Sequence, residues 1–142
     1  MQNYKNHLRF NPLHHFVITP LCIGLIVIAV ILFNESELSS LQRWFFLITA
    51  ILMLLIALIA RLYGLKNQDR LIRVEMRQRY FELTGKRFTE KEEQLRMGQI
   101  IALRFASDDE LLNLIDRAIN EKLSNKAIKK SISNWKADKM RV

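Results

Sequence analysis

Phe16-Val-Ile-Thr-Pro-Leu-Cys-Ile-Gly-Leu-Ile-Val-Ile-Ala-Val-Ile-Leu-Phe33 and, ten residues further on, Trp44-Phe-Phe-Leu-Ile-Thr-Ala-Ile-Leu-Met-Leu-Leu-Ile-Ala-Leu-Ile-Ala60 decide how this chain is built. Neither run contains an ionisable group other than Cys22. At about 1.5 Å per residue each makes roughly 25 to 27 Å of helix, and Leu38, Leu41 and Leu62 extend the second toward the roughly 30 Å hydrocarbon thickness of a bilayer. The expectation is a transmembrane two-helix hairpin over residues 16–60.

The rest of the 142 residues is unlike this stretch. Of the 22 Lys and Arg all but Lys5, Arg9 and Arg43 follow residue 60, and of the 14 acids all but Glu35 and Glu37 do. Residues 1–15 read as a cytosolic or interfacial lead-in, 61–85 as a basic juxtamembrane helix and 86–142 as a cytosolic three-helix tail. The expected fold is therefore all-α, a membrane hairpin carrying a small helical head. The basic excess suits anionic lipid, an acidic protein or nucleic acid without choosing among them.

Working outward from the spans, Asn11-Pro12 is a helix start, because the Asn side chain accepts from a free amide and proline at the first position loses no bond. Pro20 removes one backbone donor inside the first span, which predicts a bend near residues 16–20, with Thr19 able to soften the loss. Cys22 has no partner for a disulfide and reads as a small apolar residue. Leu32-Phe33-Asn34-Glu35 offers no cleavage site of small residues, so the span is read as an uncleaved anchor. Lys5 and Arg9 flank one end, Arg43 stands alone on the loop, and Arg61, Lys66, Arg70, Arg73, Arg77 and Arg79 follow the second span. The positive-inside rule then places both termini in the cytoplasm. Ala50, Ala57 and Gly64 recur every seven residues, a stripe against which the first span or a second copy can pack, although alanine is common in any membrane helix.

Beyond Ala60 helical spacing continues through Leu65, Ile72, Met76 and Leu83, with Asp69–Arg73 and Glu75–Arg79 as four-apart ion pairs and Gly85 as the stop. Arg61, Lys66, Arg70, Arg73 and Arg77 are the strongest functional signal, a surface for membrane lipid or a partner. Asp69, Glu75 and Glu82 offset the later cations, and a solvated, salt-bridged helix is the plainer reading. Thr89-Glu-Lys-Glu92 and Ser107-Asp-Asp-Glu110 match the capping box and start helices over about 90–105 and 108–123, and Ser124 caps a third over about 125–135. Their apolar positions, Leu95, Ile100, Leu103, Leu111, Leu112, Leu114, Ile115, Ile119, Leu123, Ile128, Ile132 and Trp135, suffice for a small core.

Chemistry finds little to stand on. His7, His14 and His15 are the only histidines, and neighbours on a helix diverge by about 100°, so interfacial hydrogen bonding is favoured over a metal site. The span centres carry no charged group for an ion or proton path. No phosphate loop, nucleophile set or apolar carboxylate pair is present, so neither an enzyme nor a cofactor is expected. Residues 107–136 have a helix-turn-helix rhythm with Lys126, Lys129 and Lys130 on the second helix, yet lack the usual turn glycine and an Arg, Asn and Gln set facing base edges. A protein-binding or self-packing tail is favoured over nucleic acid.

Several stretches taken together carry a resemblance: Gln2-Asn-Tyr-Lys-Asn-His7, Pro12 with His15-Phe16, Gln68-Asp-Arg-Leu-Ile-Arg73, Ile101-Ala-Leu-Arg-Phe-Ala-Ser-Asp108, and Ile128-Lys129 through Trp135, Asp138 and Arg141-Val142. Over nearly the whole chain this resembles a bacterial family of small uncharacterised two-span membrane proteins with an Ala-Leu-Arg-Phe-Ala-Ser-Asp motif in the tail. The resemblance implies a bacterial inner-membrane setting and no activity. Charge and spacing suggest that Gln68, Asp69 and the stretch Arg70 to Arg73 dock against Arg104 and Asp108 to close one cytosolic head. The role expected is a non-enzymatic accessory or interaction protein, with a protein partner or self-association; the alternative is a membrane-tethered nucleic-acid binder.

Overall fold

The computed structural model describes Tyr4 and residues 11–137. Lys5, His7, Arg9 and the chain from residue 138 on, including Lys139 and the motif residues Asp138 and Arg141-Val142, lie outside the described residues. Every regular element among the described residues is a helix, and the chain divides into two units, one over residues 10–65 and one from Lys66 onward.

In the first unit Asn11 Oδ1 accepts from the His14 amide at 3.1 Å, so the chain becomes helical at Pro12 as the sequence predicts. The irregularity expected before Pro20 takes the form of a π turn over His14–Ile18. Pro20 has no N–H to give the Phe16 carbonyl, and a wider turn lets the chain pass that gap. Both the Thr19 amide and its hydroxyl donate to the His14 carbonyl, the hydroxyl at 2.8 Å. Helix α1 then runs over Thr19–Phe33, and after a short connection α2 runs over Ser40–Thr84. Ser39 and Gln42 cap α2 reciprocally: Gln42 Oε1 accepts from the Ser39 amide at 2.9 Å and Ser39 Oγ from the Gln42 amide at 3.3 Å. Phe33 meets Trp44 edge-on at 5.1 Å, and Arg43 Nε donates to the Leu38 carbonyl at 2.9 Å. These contacts close the hairpin.

Small residues lie where its helices meet. Cys22, Ala29 and Ala50 are the buried residues of this unit, whereas Leu21, Val27, Ile31, Phe45, Ile48 and their neighbours remain exposed. Ala57 is half-buried and Gly64 exposed, with only Ala50 of the expected stripe fully covered. The helical stretches His14–Phe33 and Ser40–Thr84 are both long and apolar enough to cross a membrane.

The second unit begins on the later part of α2, which ends at Gly85. Its φ of 67° is the left-handed value that favours glycine, and its amide donates to the Phe81 carbonyl at 2.8 Å. Ile72, Met76 and Tyr80 form the buried face of α2 here, while Leu65 and Leu83 stay partly exposed. Four helices follow: α3 (Thr89–Glu92), α4 (Met97–Leu103), α5 (Asp108–Asn120) and α6 (Asn125–Ser131). The apolar positions expected for the core all join it, together with Phe88, Phe105, Ala102, Ala106 and Ala118.

Two helices stand where the sequence predicts one over about 90–105. Thr89 does not cap: Phe88 holds the N-cap position, and Glu92 turns away to Arg77 and Arg73. Leu95 drops into the core and Arg96 is extended (φ −77°, ψ 151°), which ends one helix and starts the next. Ser107 and Ser124 do cap as expected, Glu110 accepting from the Ser107 amide at 3.4 Å and Ser124 Oγ from the Ala127 amide at 3.2 Å. The last helix stops at Ser131 rather than near 135. Residues 133–136 then run extended beside 105–107, joined by Ser107 N–H to Asn134 O at 3.1 Å and Lys136 N–H to Phe105 O at 2.8 Å.

Candidate functional site

The head closes around the Ala102–Asp108 motif. Ala102, Leu103, Phe105 and Ala106 are fully buried. Phe105 stacks at a tilt on Trp135 at 5.2 Å. Ser107 leaves the core as the N-cap of α5.

Arg79 reaches this motif from α2. Its Nε donates to Asp108 Oδ1 at 2.5 Å, Nη1 to the Arg104 carbonyl at 3.2 Å and Nη2 to the Ala106 carbonyl at 2.6 Å. Planar and with five donors, guanidinium is the side chain that can serve three acceptors at once. The hydrogen bond from Arg79 holds the Asp108 carboxyl below its ordinary value, and Lys136 adds to this from 3.8 Å. The α2 residue that engages Asp108 and the Arg104 carbonyl is Arg79, two to three turns beyond Gln68, Asp69 and Arg70.

A second clasp is built on Glu92, which is 6 % exposed. Arg77 donates to it through Nε at 2.5 Å and Nη2 at 3.1 Å, and Arg73 Nη1 lies at 3.3 Å. This pairing with Glu92 raises Arg77 above its ordinary value. Both four-apart pairs expected on α2 are replaced, Arg73 turning to Glu92 and Arg79 to Asp108. The reason is energetic: an exposed four-apart pair is worth about 0.3–0.5 kcal/mol, less than the charge-assisted bonds these arginines make to buried Glu92 and to the Arg104 and Ala106 carbonyls.

Two further polar residues tie the tail down. Glu110 accepts from the amides of Ser133 at 3.0 Å and Asn134 at 3.1 Å as well as from Ser107. Gln99, buried, accepts from the Arg96 amide at 2.7 Å and donates to the Leu123 carbonyl at 2.8 Å. Nothing in local sequence pairs Arg79 with Asp108, Arg77 with Glu92 or Gln99 with Leu123, since these partners lie 15 to 29 residues apart.

Lys66 and Arg70 are exposed and Arg61 is half-buried. Lys129 lies 5.7 Å from the Phe105 ring centroid and Lys130 5.8 Å from that of Tyr4, so both help cover the core and the chain's start. Several clefts open on the head. One of about 350 Å³ lies between Glu75, Glu82, Arg79, Arg104 and Lys136; another of about 1030 Å³ lies beside Arg96, Lys122 and Lys126. In the hairpin, a space of about 230 Å³ is lined by His14, Ile18, Ala57, Ala60 and Gly64 with Arg61 at its rim. Among the described residues no group of His, Cys, Asp and Glu is arranged to hold a metal ion.

Fold and site together define an all-helical protein that joins a hairpin of membrane-spanning length to a head closed by its own buried charges. The chain belongs to the DUF6526 family, a family of unknown function whose model matches residues 1–142. No curated protein and no solved structure matches it.

Proposed function

We propose that this is an integral protein of the bacterial inner membrane, with both termini in the cytoplasm, that acts as a non-enzymatic accessory or interaction protein. The observation that carries the reading is the pair of helical stretches His14–Phe33 and Ser40–Thr84, each long and apolar enough to cross a membrane, with the large apolar side chains of the hairpin exposed. The later part of α2 is the buttress of the head. Each large apolar side chain left in water forgoes roughly 1.5–3 kcal/mol, and the hairpin carries more than a dozen, which a bilayer accommodates and water does not. The head's interior polar groups support a binding role over chemistry: Arg79, Glu92, Gln99 and Glu110 are all engaged in holding the head closed.

The test is purification of the tagged full chain from native membranes in mild detergent, with identification of what accompanies it and its mass. Recovery in the membrane fraction with a stoichiometric membrane protein, or as a defined complex of its own, is the expected result. A monomer that turns over a small molecule, or a chain that remains soluble, overturns the reading.

A further inference from the structure

The buttress helix has a second face. Opposite Ile72, Met76 and Tyr80, which point into the head, Leu71, Val74 and Phe81 are 59 %, 56 % and 56 % exposed. With Gln78 they recur at intervals of three and four residues (71, 74, 78, 81), the spacing of a seam on which a second helix lies. Written as heptads, Leu71 and Gln78 fall at a, Val74 and Phe81 at d. The flanking positions are then Arg70 and Arg77 at g, Glu75 and Glu82 at e.

That charge order selects the occupant. In a parallel, in-register pair each g residue faces the e residue five positions on in the other helix. Arg70 then meets Glu75 of a second copy, and Arg77 meets Glu82. All such pairs across the two-fold axis are opposite in sign. Within one chain neither Arg70 nor Glu75 makes an ion pair among the described residues, and Arg79, the cation four residues beyond Glu75, is taken by Asp108. Arg77 binds Glu92 through Nε and Nη2, which leaves Nη1 for a neighbour. Gln78, the one polar residue of the four, donates Nε2 to Glu82 Oε1 at 2.8 Å and so holds that carboxylate beside the seam with its other oxygen left for Arg77 of the second copy. Beside the seam a groove of about 570 Å³, lined by Val74, Gln78, Phe81 and Arg87, has room for the large side chains of a partner helix.

We infer that residues 70–82 form a parallel homodimer interface, the occupant of this face being the same face of a second copy. The inference rests on the membrane reading in one respect: two copies inserted with the same topology present these helices in parallel, the arrangement the charge order requires.

The test is disulfide cross-linking of the full chain in membranes, in a Cys22→Ala background carrying one new cysteine at a time. Leu71→Cys, Val74→Cys, Gln78→Cys and Phe81→Cys are expected to give dimer at least several-fold above Arg73→Cys, which points away from the seam. A charge-reversal series adds a readout that misfolding cannot mimic. In detergent Arg70→Glu and Glu75→Arg should each weaken dimerisation by about tenfold, as two symmetry-related attractions become repulsions, and the double exchange should restore it. Cross-linking with no dependence on the seven-residue phase, or no restoration by the double exchange, overturns the inference even if the chain stays in the membrane. A chain that fails to fractionate with membranes instead overturns the anchoring on which the parallel arrangement rests.

Discussion

Replacing Arg79 by methionine keeps a long side chain between α2 and the motif but removes every donor. The Arg79 side chain is 12 % exposed whereas Asp108 is 51 % exposed, so the two ends of the clasp differ in worth. The carboxylate arm is a near-surface pair and contributes about 0.2–1 kcal/mol. The bonds to the Arg104 and Ala106 carbonyls come from a charged donor in a covered setting, at roughly 1.5 kcal/mol each by the lower bound for such bonds. Their sum is about 3 kcal/mol, which corresponds to roughly a 150-fold rise in local opening. Hydrogen exchange of the full chain in detergent, followed by mass spectrometry, reads this directly. Peptides covering 104–108 and 133–137 should exchange on the order of a hundredfold faster in Arg79→Met, and Arg79→Lys should fall between, since it keeps charge without the fork. The Asp108 arm adds a pH signature. Its carboxyl is lowered in the folded chain, so its contribution is full above the ordinary aspartate value of about 3.9 and vanishes as the pH falls through the lower folded value. The difference between wild type and Arg79→Met should therefore narrow in acid. Exchange in Arg79→Met within about threefold of wild type at neutral pH would refute the assignment of Arg79 as the clasp.

Three other substitutions probe the head. Glu110→Ala removes the acceptor for Ser133 and Asn134 and should free the extended segment, seen as loss of exchange protection at 133–136 with an effect of about 2 kcal/mol. Gly98→Ala brings a Cβ against the exposed Asn125 side chain, which must turn aside, so the helix-propensity gain of about 1 kcal/mol should appear in thermal melts only when Asn125→Ala is present in the same chain. Lys122 has φ 51° at the end of α5, where glycine is at ease, so Lys122→Gly should raise stability by about 1 kcal/mol in the same assay.

What sequence alone could reveal follows from the range of each interaction. The two long apolar helices, the Asn11 start, the Gly85 stop and the caps at Ser107 and Ser124 depend on residues a few positions apart and are legible as patterns. The core of α4 to α6 is legible too, because period and hydrophobicity mark Ile100, Leu103, Leu111 and Ile128. The Thr89 box is legible and misleading: Glu92 has a second option, two arginines on α2, that outcompetes a reciprocal cap. Phe88 and Phe105 are missed because they sit at helix boundaries, where no period identifies a buried face. The candidate site is the least legible part. Asp69–Arg73 and Glu75–Arg79 satisfy the local rule equally well, and only the tertiary fold shows that Arg73 and Arg79 go elsewhere. The motif at 102–108 reads as a marker in sequence, while in the fold it is the point where α2, α5 and the chain's last extended segment are joined.

The central claim is that the hairpin spans a membrane and leaves the head and both ends on one side. Cysteine labelling in intact cells tests it most directly, using the full chain with Cys22→Ala and single replacements Ser36→Cys in the connection or Lys86→Cys in the head. An inner-membrane protein with cytoplasmic ends predicts that a maleimide able to cross the outer but not the inner membrane reaches position 36 in intact cells and position 86 only after lysis. Labelling of both positions from outside, of neither, or of position 86 alone would contradict it.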